Sequence, residues 1–149
     1  MEPYAKITIY KEESCHKLSC VINNTNLSPL KWMMFVKELD RTIKLIGNDP
    51  KIDKFYMYYD VTQLDVLMNQ NNYKDIVEIF KNNFDLFIHK LLGTFIYIEN
   101  NIFHVLLRLL IKFYTPTKPL FILKESVIEQ EIIDDLLNNR KNINEYSMD

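Results

Sequence analysis

The sequence predicts an α/β fold: a single-domain, mixed and mostly parallel sheet with an N-terminal β-hairpin and helices packed on it, in the order ββαβαβαβα. Short runs rich in β-branched and aromatic residues recur along the chain. Longer segments with apolar residues at helical spacing separate most of these runs, an alternation typical of parallel sheets. The 149 residues show no repeat and no linker composition. We therefore expect one domain over 1–149, with a frayed polar tail over 138–149.

The first two strands are predicted at 6–11 and 17–23. The polar residues 12–16 connect them, so the two strands form an antiparallel hairpin. Because this hairpin precedes the alternating units, it adds a mixed edge to the sheet.

The first helix is predicted to begin at Ser28 as the N-cap, with Pro29 as its first residue. Its apolar run continues through Ile46 and stops at Gly47 and Asn48. A strand of aromatic residues and Met follows at 55–59, ending at Asp60. Its tyrosines favour core packing, although an interface role is also open because Tyr is enriched in binding patches.

The second helix carries the clearest periodicity in the chain. We predict one continuous helix with Asn72 as its N-cap and Gly93 just past its end. A short strand follows at 94–98. The apolar face of the helix consists of Tyr73, Ile76, Val77, Phe80, Phe84, Phe87, Ile88 and Leu91.

The segment 102–114 is the least polar part of the chain, and it is predicted to be a helix of a soluble core rather than a membrane span. His104, Arg108 and Lys112 recur every four residues and fall on one stripe. A helix of this length reaches about 20 Å, short of the ~30 Å hydrocarbon core. A strand at 120–123 and a helix at 126–137 complete the order.

The composition of the chain narrows the partners and the cellular location to be expected. The net charge of −2 gives no electrostatic reason to expect a nucleic-acid partner. The two cysteines are too few for a disulfide framework, and Glu2 stands where a signal peptide would be positive. A cytoplasmic protein is the expectation. The abundance of Asn, Ile and Lys favours an A/T-rich genome such as that of a large DNA virus, in which case the location is the host cytoplasm or the virion.

Neither a cofactor nor catalysis is predicted. Cys15, His16 and Cys20 match no common zinc spacing, and the glycines stand alone rather than in a phosphate-binding loop. His89 and His104 have no evident nucleophile beside them. An enzyme remains a third hypothesis, which loss of an activity on changing His104 or Asp60 would favour.

The order of elements resembles the STAS domain of anti-sigma-factor antagonists and the CRAL-TRIO lipid-binding domain, mainly over 55–123. The residues that carry the resemblance are the strand ending at Asp60, the helix ending in HKLL at 89–92, and the strand TFIYIEN at 94–100. Membership of either group would imply the fold predicted above. It implies less about activity, since one fold serves many functions.

Two departures bear on what the resemblance implies. STAS switch proteins phosphorylate a Ser in an Asp-Ser-Ser-Gly or Asp-Ser-Thr-Gly turn, whereas the stretch DVTQLD at 60–65 offers only Thr62 and no glycine. Thr62 is either a phosphorylation switch or a turn residue bonded to its own backbone. CRAL-TRIO proteins hold a lipid under a gate helix and usually carry an N-terminal helical domain; because this chain is shorter and starts with strands, we expect neither addition.

We therefore predict a non-enzymatic module that works through a protein partner or self-association. A carrier of a lipid or other apolar ligand is the alternative. The predicted interaction surface rests on the apolar surplus at the start of the first helix and on the turn after the third strand. It consists of Trp32, Met33, Phe35, Asp60, Thr62 and Asp65.

Overall fold

The structure is a computed structural model, and it describes residues 3–23, 27–62, 70–98, 118–123 and 145–148. These residues form one sheet of six strands in the spatial order β1-β2-β3-β4-β5-β6. The first pair is antiparallel and every later neighbouring pair is parallel. The predicted α/β class, with a mostly parallel sheet and an N-terminal hairpin, is therefore confirmed.

The hairpin strands lie close to their predicted positions. β1 is Ala5–Lys11 and β2 is His16–Ile22. They pair along their whole length, and the backbone N–H of Glu12 donates to the carbonyl of Cys15 at 2.8 Å to close the turn between them. On β2, Leu18, Cys20 and Ile22 are at most 3% exposed and point into the same core, as expected for alternate residues of a strand.

Helix α1 is Pro29–Asn48, and its start is the predicted one. The Ser28 side chain accepts a hydrogen bond from the backbone N–H of Lys31 at 3.2 Å, and Pro29 opens the first turn. The helix contains Gly47 and Asn48 rather than stopping at them. Its C-cap is Asp49 in extended conformation, which turns the chain toward β3, Phe55–Asp60.

The helices α1, α2 (Gln70–Asn82) and α3 (Phe84–Lys90) pack on one face of the sheet. The strand order explains this placement, because β2, β3 and β4 advance in one direction across the sheet. Crossovers between parallel strands are right-handed, so a series advancing one way keeps its helices on a single side.

The larger core lies between these helices and the sheet. It combines strand side chains such as Leu18, Phe55 and Leu91 with helix side chains such as Leu39 and Phe87. Fully burying an aliphatic or Phe side chain contributes about 1.5–3 kcal/mol. This core therefore supplies much of the free energy that holds α1, α2 and α3 on the sheet.

A second core cluster lies on the opposite face of the sheet. Its described members come from the strands and from the turn residue Cys15. Phe95 is its centre, with the ring of Phe121 stacked at 5.0 Å and the ring of Tyr56 edge-on at 5.4 Å. Both faces of β3 and β4 are thus buried, which explains why their sequences lack a polar alternation.

The predicted single helix ending near Leu91 is wrong, because the structure has two helices that meet at Asn83. The Asn83 side chain donates to the carbonyl of Ile79 at 2.8 Å and to Asp40 Oδ1 on α1 at 2.9 Å. The amide shares the Ile79 carbonyl with the backbone N–H of Asn83, which donates at 3.1 Å, and the helix is interrupted where Asn83 adopts the non-helical angles φ −109° and ψ 21°. The apolar face changes direction at the break, so Phe84 and Ile88, predicted to be buried, are each 40% exposed.

The predicted helix boundaries around this segment also differ from the structure. α2 begins at Gln70 rather than after Asn72, and Gly93 lies inside β4, Leu91–Tyr97, rather than past a helix end. Between the pairs Phe55–Leu91 and Met57–Thr94 the register shifts by one residue. Gly93 therefore sits at a β-bulge, a position that favours glycine in a strand.

Three other predictions concern the second half of the chain. The strand at 120–123 is confirmed as β5, Leu120–Leu123, parallel to β4. The predicted helices at 102–114 and 126–137 lie outside the described residues. Within the tail for which we expect fraying, the structure has β6, Glu145–Met148, paired with β5.

Helix α1 runs alongside α2 and α3 in the same direction, and polar contacts join them along their length. Near the start of α1, Trp32 Nε1 donates to Asp75 Oδ2 at 2.7 Å. In the middle, Asn83 donates to Asp40. At the end, the Lys90 ammonium donates to the carbonyls of Ile46 and Asp49, both at 3.1 Å, and satisfies the helix C-terminus.

The helices α1 and α3 approach each other closely at Gly47. A Cβ atom added there would lie 2.0 Å from Leu86 Cδ1 and 2.9 Å from Leu86 Cγ. We predict that Gly47→Ala lowers the free energy of unfolding by about 1–3 kcal/mol through overpacking. In a Leu86→Ala background the same change should instead stabilise the helix, by up to about 1 kcal/mol. Urea denaturation of the four variants measures both effects, and equal effects in the two backgrounds would contradict this contact.

From the environment of the Asp40 carboxylate we predict that the folded protein loses stability in acid. Burial opposes its ionisation, but hydrogen bonds from Lys44 and Asn83 and the charge of Lys44 outweigh it and hold the pKa of Asp40 below its ordinary value of 3.8. A lowered folded-state pKa stabilises the protein above the unfolded value, and this contribution disappears as the pH falls through the folded value. The stability advantage of the wild type over Asp40→Asn should therefore shrink between about pH 5 and about pH 2.

Denaturation in urea at a series of pH values measures that difference. Lys44→Met is the companion variant, because it removes a hydrogen-bond donor and a charge from Asp40 and should flatten the dependence. A difference between wild type and Asp40→Asn that stays constant across this pH range would contradict the assignment.

Candidate interaction surface

The first turns of α1 contain a nearly unbroken apolar run, LKWMMFV at 30–36. A helix cannot bury all of these side chains against one neighbour, because consecutive residues point about 100° apart. The structure therefore divides the run into a buried part and an exposed part. This division defines the candidate surface.

Trp32 and Phe35 form the buried part. Their rings lie 5.3 Å apart, and the ring of Tyr4 lies 6.0 Å from Trp32 and 5.5 Å from Phe35. Trp32 is 7% exposed and Phe35 is 8% exposed. Both were predicted to belong to an interaction surface, but the structure places them in the core.

The exposed part consists of Leu30, Met33 and Met34, and we name these three residues the α1 patch. Their exposed fractions are 51%, 48% and 51%, respectively. Only Met33 among them was a predicted surface residue. The spacing of three and four residues from Leu30 to Met33 and Met34 could have identified the other two, because such positions are neighbours on a helix surface.

The charges on α1 divide the helix into two halves. Lys31 and Lys37 are the charged residues of its first nine positions, and its first turn holds no acidic residue. The second half carries two ion pairs, Arg41 with Glu38 at 2.8 Å and Lys44 with Asp40 at 2.6 Å. The α1 patch is therefore bordered by cations at one end of the helix and by a mixed-charge surface toward the other.

The turn after β3 holds the other predicted site residues. Asp60 Oδ1 accepts hydrogen bonds from the backbone N–H of Thr62 at 3.1 Å and from the Thr62 hydroxyl at 2.7 Å. This is the turn geometry in which a short polar side chain bonds the backbone two residues on. Both residues are half-buried. Asp65 lies outside the described residues.

Tyr56 and Tyr58 of β3 pack in the second core cluster. The Tyr56 hydroxyl donates to the Glu12 carboxylate, and Lys17 Nζ lies 4.7 Å from the centre of the Tyr58 ring. Burial raises the pKa of Tyr58 to about 12, with smaller electrostatic contributions from Asp60 and then Tyr97. Tyr56 and Tyr58 are buried in the second core cluster, so this strand packs in the core as favoured from its sequence.

The residues considered for metal binding lie apart. Cys15 packs in the second core cluster and Cys20 in the first, on opposite faces of the sheet. Burial, and then the charge of Asp60, raises the pKa of the Cys20 thiol far above its usual range, so this thiol stays protonated. Across the described segments, no group of three His, Cys, Asp or Glu side chains is arranged to hold a metal ion.

Within the same segments, no helix combines the length and apolarity needed to cross a membrane. The segment 102–114, for which we predict a core helix, lies outside them.

Comparison with family models finds no match, and comparisons with curated proteins and with solved structures find no significant similarity. The resemblance to STAS and CRAL-TRIO domains therefore stays a prediction from the sequence.

The bond between Trp32 and Asp75 leads to a stability prediction. Trp32→Phe keeps an aromatic ring in the core but removes the only hydrogen-bond donor of the side chain. Because hydrogen bonds to charged groups contribute about 1.5–3 kcal/mol, we expect a loss of this size in the free energy of unfolding. Asp75→Asn should cost less, since the amide keeps an acceptor oxygen. Urea denaturation measures both, and a Trp32→Phe variant as stable as the wild type would contradict the role of this bond.

Proposed function

We propose that this protein is a non-enzymatic interaction module that binds a partner protein through the α1 patch. The observation that supports this proposal is the exposure of Leu30, Met33 and Met34, each about half accessible to solvent on adjacent turns. Scattered single apolar residues are normal on protein surfaces, whereas a group of neighbours is typical of binding sites.

The α1 patch is not needed to hold α1 on the sheet. The opposite side of the helix contributes Trp32, Phe35, Leu39, Ile43 and Ile46 to the core, and three of these are fully buried. About half of each patch side chain stays exposed, and that half adds no burial to the fold of a single copy. Their presence is better explained by burial against a partner.

The chemistry of the α1 patch indicates the kind of partner. Methionine is flexible and polarisable, so it adapts to apolar surfaces of different shape. Lys31 and Lys37 border the patch, and an acidic group on the partner would complement them. The expected partner segment therefore combines apolar residues with Asp or Glu.

The proposal is tested by comparing proteins retained by the wild type and by Leu30→Gln/Met33→Gln. This double variant keeps helix-forming residues while removing apolar surface. We expect one or more proteins from the source organism to bind the wild type and to lose at least tenfold in affinity for the double variant. Isothermal titration with each purified candidate measures that loss.

Ile88→Gln is the matched control, since Ile88 is also an exposed apolar residue, 40% accessible, but lies on α3. It should bind like the wild type. Equal binding by all three proteins would contradict a role for the α1 patch. A bound lipid in native mass spectrometry of protein taken from its source would instead favour the alternative function, carriage of an apolar ligand.

A further inference from the structure

The sheet ends at β1, a seven-residue strand that pairs with β2 on its inner edge. Among the described residues, β2 is the one strand that pairs with β1, so the other edge of β1 is unpaired there. Long unpaired edges offer a row of N–H and C=O groups to another chain. Two of the exposed large apolar residues also lie on this strand, Ile9 at 37% and Tyr10 at 47%.

We propose that two copies of this chain join at β1, which pairs antiparallel with β1 of the second copy to make one sheet continuous across both. A twofold axis perpendicular to the sheet generates this arrangement, and such isologous contacts are common in homodimers. The proposed contact shares Met34 with the α1 patch but otherwise uses different residues, and the pairing of β1 does not depend on the patch.

The sequence of β1 is self-complementary in the register that overlaps the whole strand. That register places Thr8 opposite Thr8 of the second copy, because Thr8 is the central residue of Ala5–Lys11. Ile7 then lies opposite Ile9, on the face that carries the helices. Pairs of β-branched residues directly opposite each other stabilise antiparallel sheets.

The charged residues of β1 fit the same register. Lys6 lies opposite Tyr10 of the second copy, and Lys11 lies opposite Ala5, so no two lysines face each other. The aliphatic stem of Lys6 can pack on the tyrosine ring while its ammonium stays in water. Like charges directly opposite would destabilise the pairing, and this register avoids them.

The flank of α1 beside this edge carries a complementary pattern as well. Positions 34, 38, 41 and 45 recur at spacings of four, three and four, which places them on one stripe. Met34 and Leu45 are each 51% exposed, and the side chains of Glu38 and Arg41 are 46% and 61% exposed. The stripe is turned away from Asp40 and Gly47, the positions that face α2 and α3.

The proposed axis brings the two stripes toward each other in opposite directions. Met34 then corresponds to Leu45 of the second copy, and Glu38 to Arg41. The contacts of Tyr4 with Trp32 and Phe35 show which residues of α1 lie beside the start of β1. Thr8 lies about 13 Å farther along the strand, or about nine helix residues, which is within about one turn of the middle of the stripe.

A cysteine crosslink tests both association and register. Thr8→Cys places two thiols directly opposite each other, within the Cα separation of about 4.4–6.8 Å that a disulfide spans. Copper phenanthroline with oxygen serves as the oxidant and accepts the two electrons when the thiols join. The native Cys15 and Cys20 are buried, so they should not compete.

We expect most of the Thr8→Cys protein to run as a disulfide dimer on a non-reducing gel after oxidation. Lys6→Cys is the matched control on the same face of β1, because its two thiols would be about 13 Å apart and should not crosslink. Light scattering after size-exclusion chromatography should show the wild type at twice its monomer mass of 17.9 kDa at high concentration.

A wild type that stays monomeric at every concentration measured would overturn the proposal. Equal crosslinking of Lys6→Cys and Thr8→Cys would overturn it as well. The same crosslinking assay on Leu30→Gln/Met33→Gln separates the two surfaces. Because those residues lie outside the proposed contact, the Thr8→Cys dimer should form as well in that background as in the wild type. Its loss there would show that the α1 patch, not the β1 edge, holds the two copies together.

Discussion

The hydrogen bond from Trp32 to Asp75 and the contacts of the Trp32 ring with Tyr4 and Phe35 hold the first turns of α1 in one orientation on the sheet. The first turns of this helix are apolar almost all round, so the hydrophobicity of these turns alone does not select one orientation for them. A rotation of about 100° or more would bury the methionines and expose the tryptophan. Such a rotation would also leave the Asp75 carboxylate without its 2.7 Å donor. The polar contact therefore favours one orientation of these apolar turns, and this orientation determines which of their side chains are exposed.

This orientation is maintained along the rest of the helix by two further contacts. Asp40 binds Asn83 in the middle, and Lys90 binds the carbonyls at the C-terminus of α1. The three contacts follow from parallel packing, because both helices connect parallel strands that advance the same way across the sheet. One flank of α1 is thereby occupied by α2 and α3. The opposite flank, beside β1, is left at the edge of the sheet, and this is where the proposed association between copies takes place.

Local signals in the sequence were sufficient for much of the fold. Ser28 and Pro29 mark the start of α1 because their chemistry suits the cap and the first helical position directly. The short apolar run at 120–123 likewise becomes β5 without adjustment. The errors concern residues whose roles depend on distant partners. The break at Asn83 coincides with an amide contact to Asp40 on α1, and Gly93 lies at a bulge that only the pairing with β3 reveals.

The candidate surface shows the same division. The apolar surplus at the start of α1 indicated that some side chains would be exposed, but the exposed ones could not be identified from the run itself. Trp32 and Phe35 are buried because Tyr4, distant in sequence, packs against both. The identities of Met33, Met34, Trp32 and Phe35 predict a binding surface equally well, and only the tertiary contacts separate them.

Methyl NMR with a soluble paramagnetic agent tests this division most directly. With labelled methionine methyl groups, the signals of Met33 and Met34 should be strongly broadened, because these side chains are 48% and 51% exposed. The signal of Met57, which is 2% exposed in the core, should be broadened far less and serves as the internal reference. Protection of Met33 and Met34 equal to that of Met57, in a protein shown to be monomeric under the same conditions, would contradict the orientation of α1 described above.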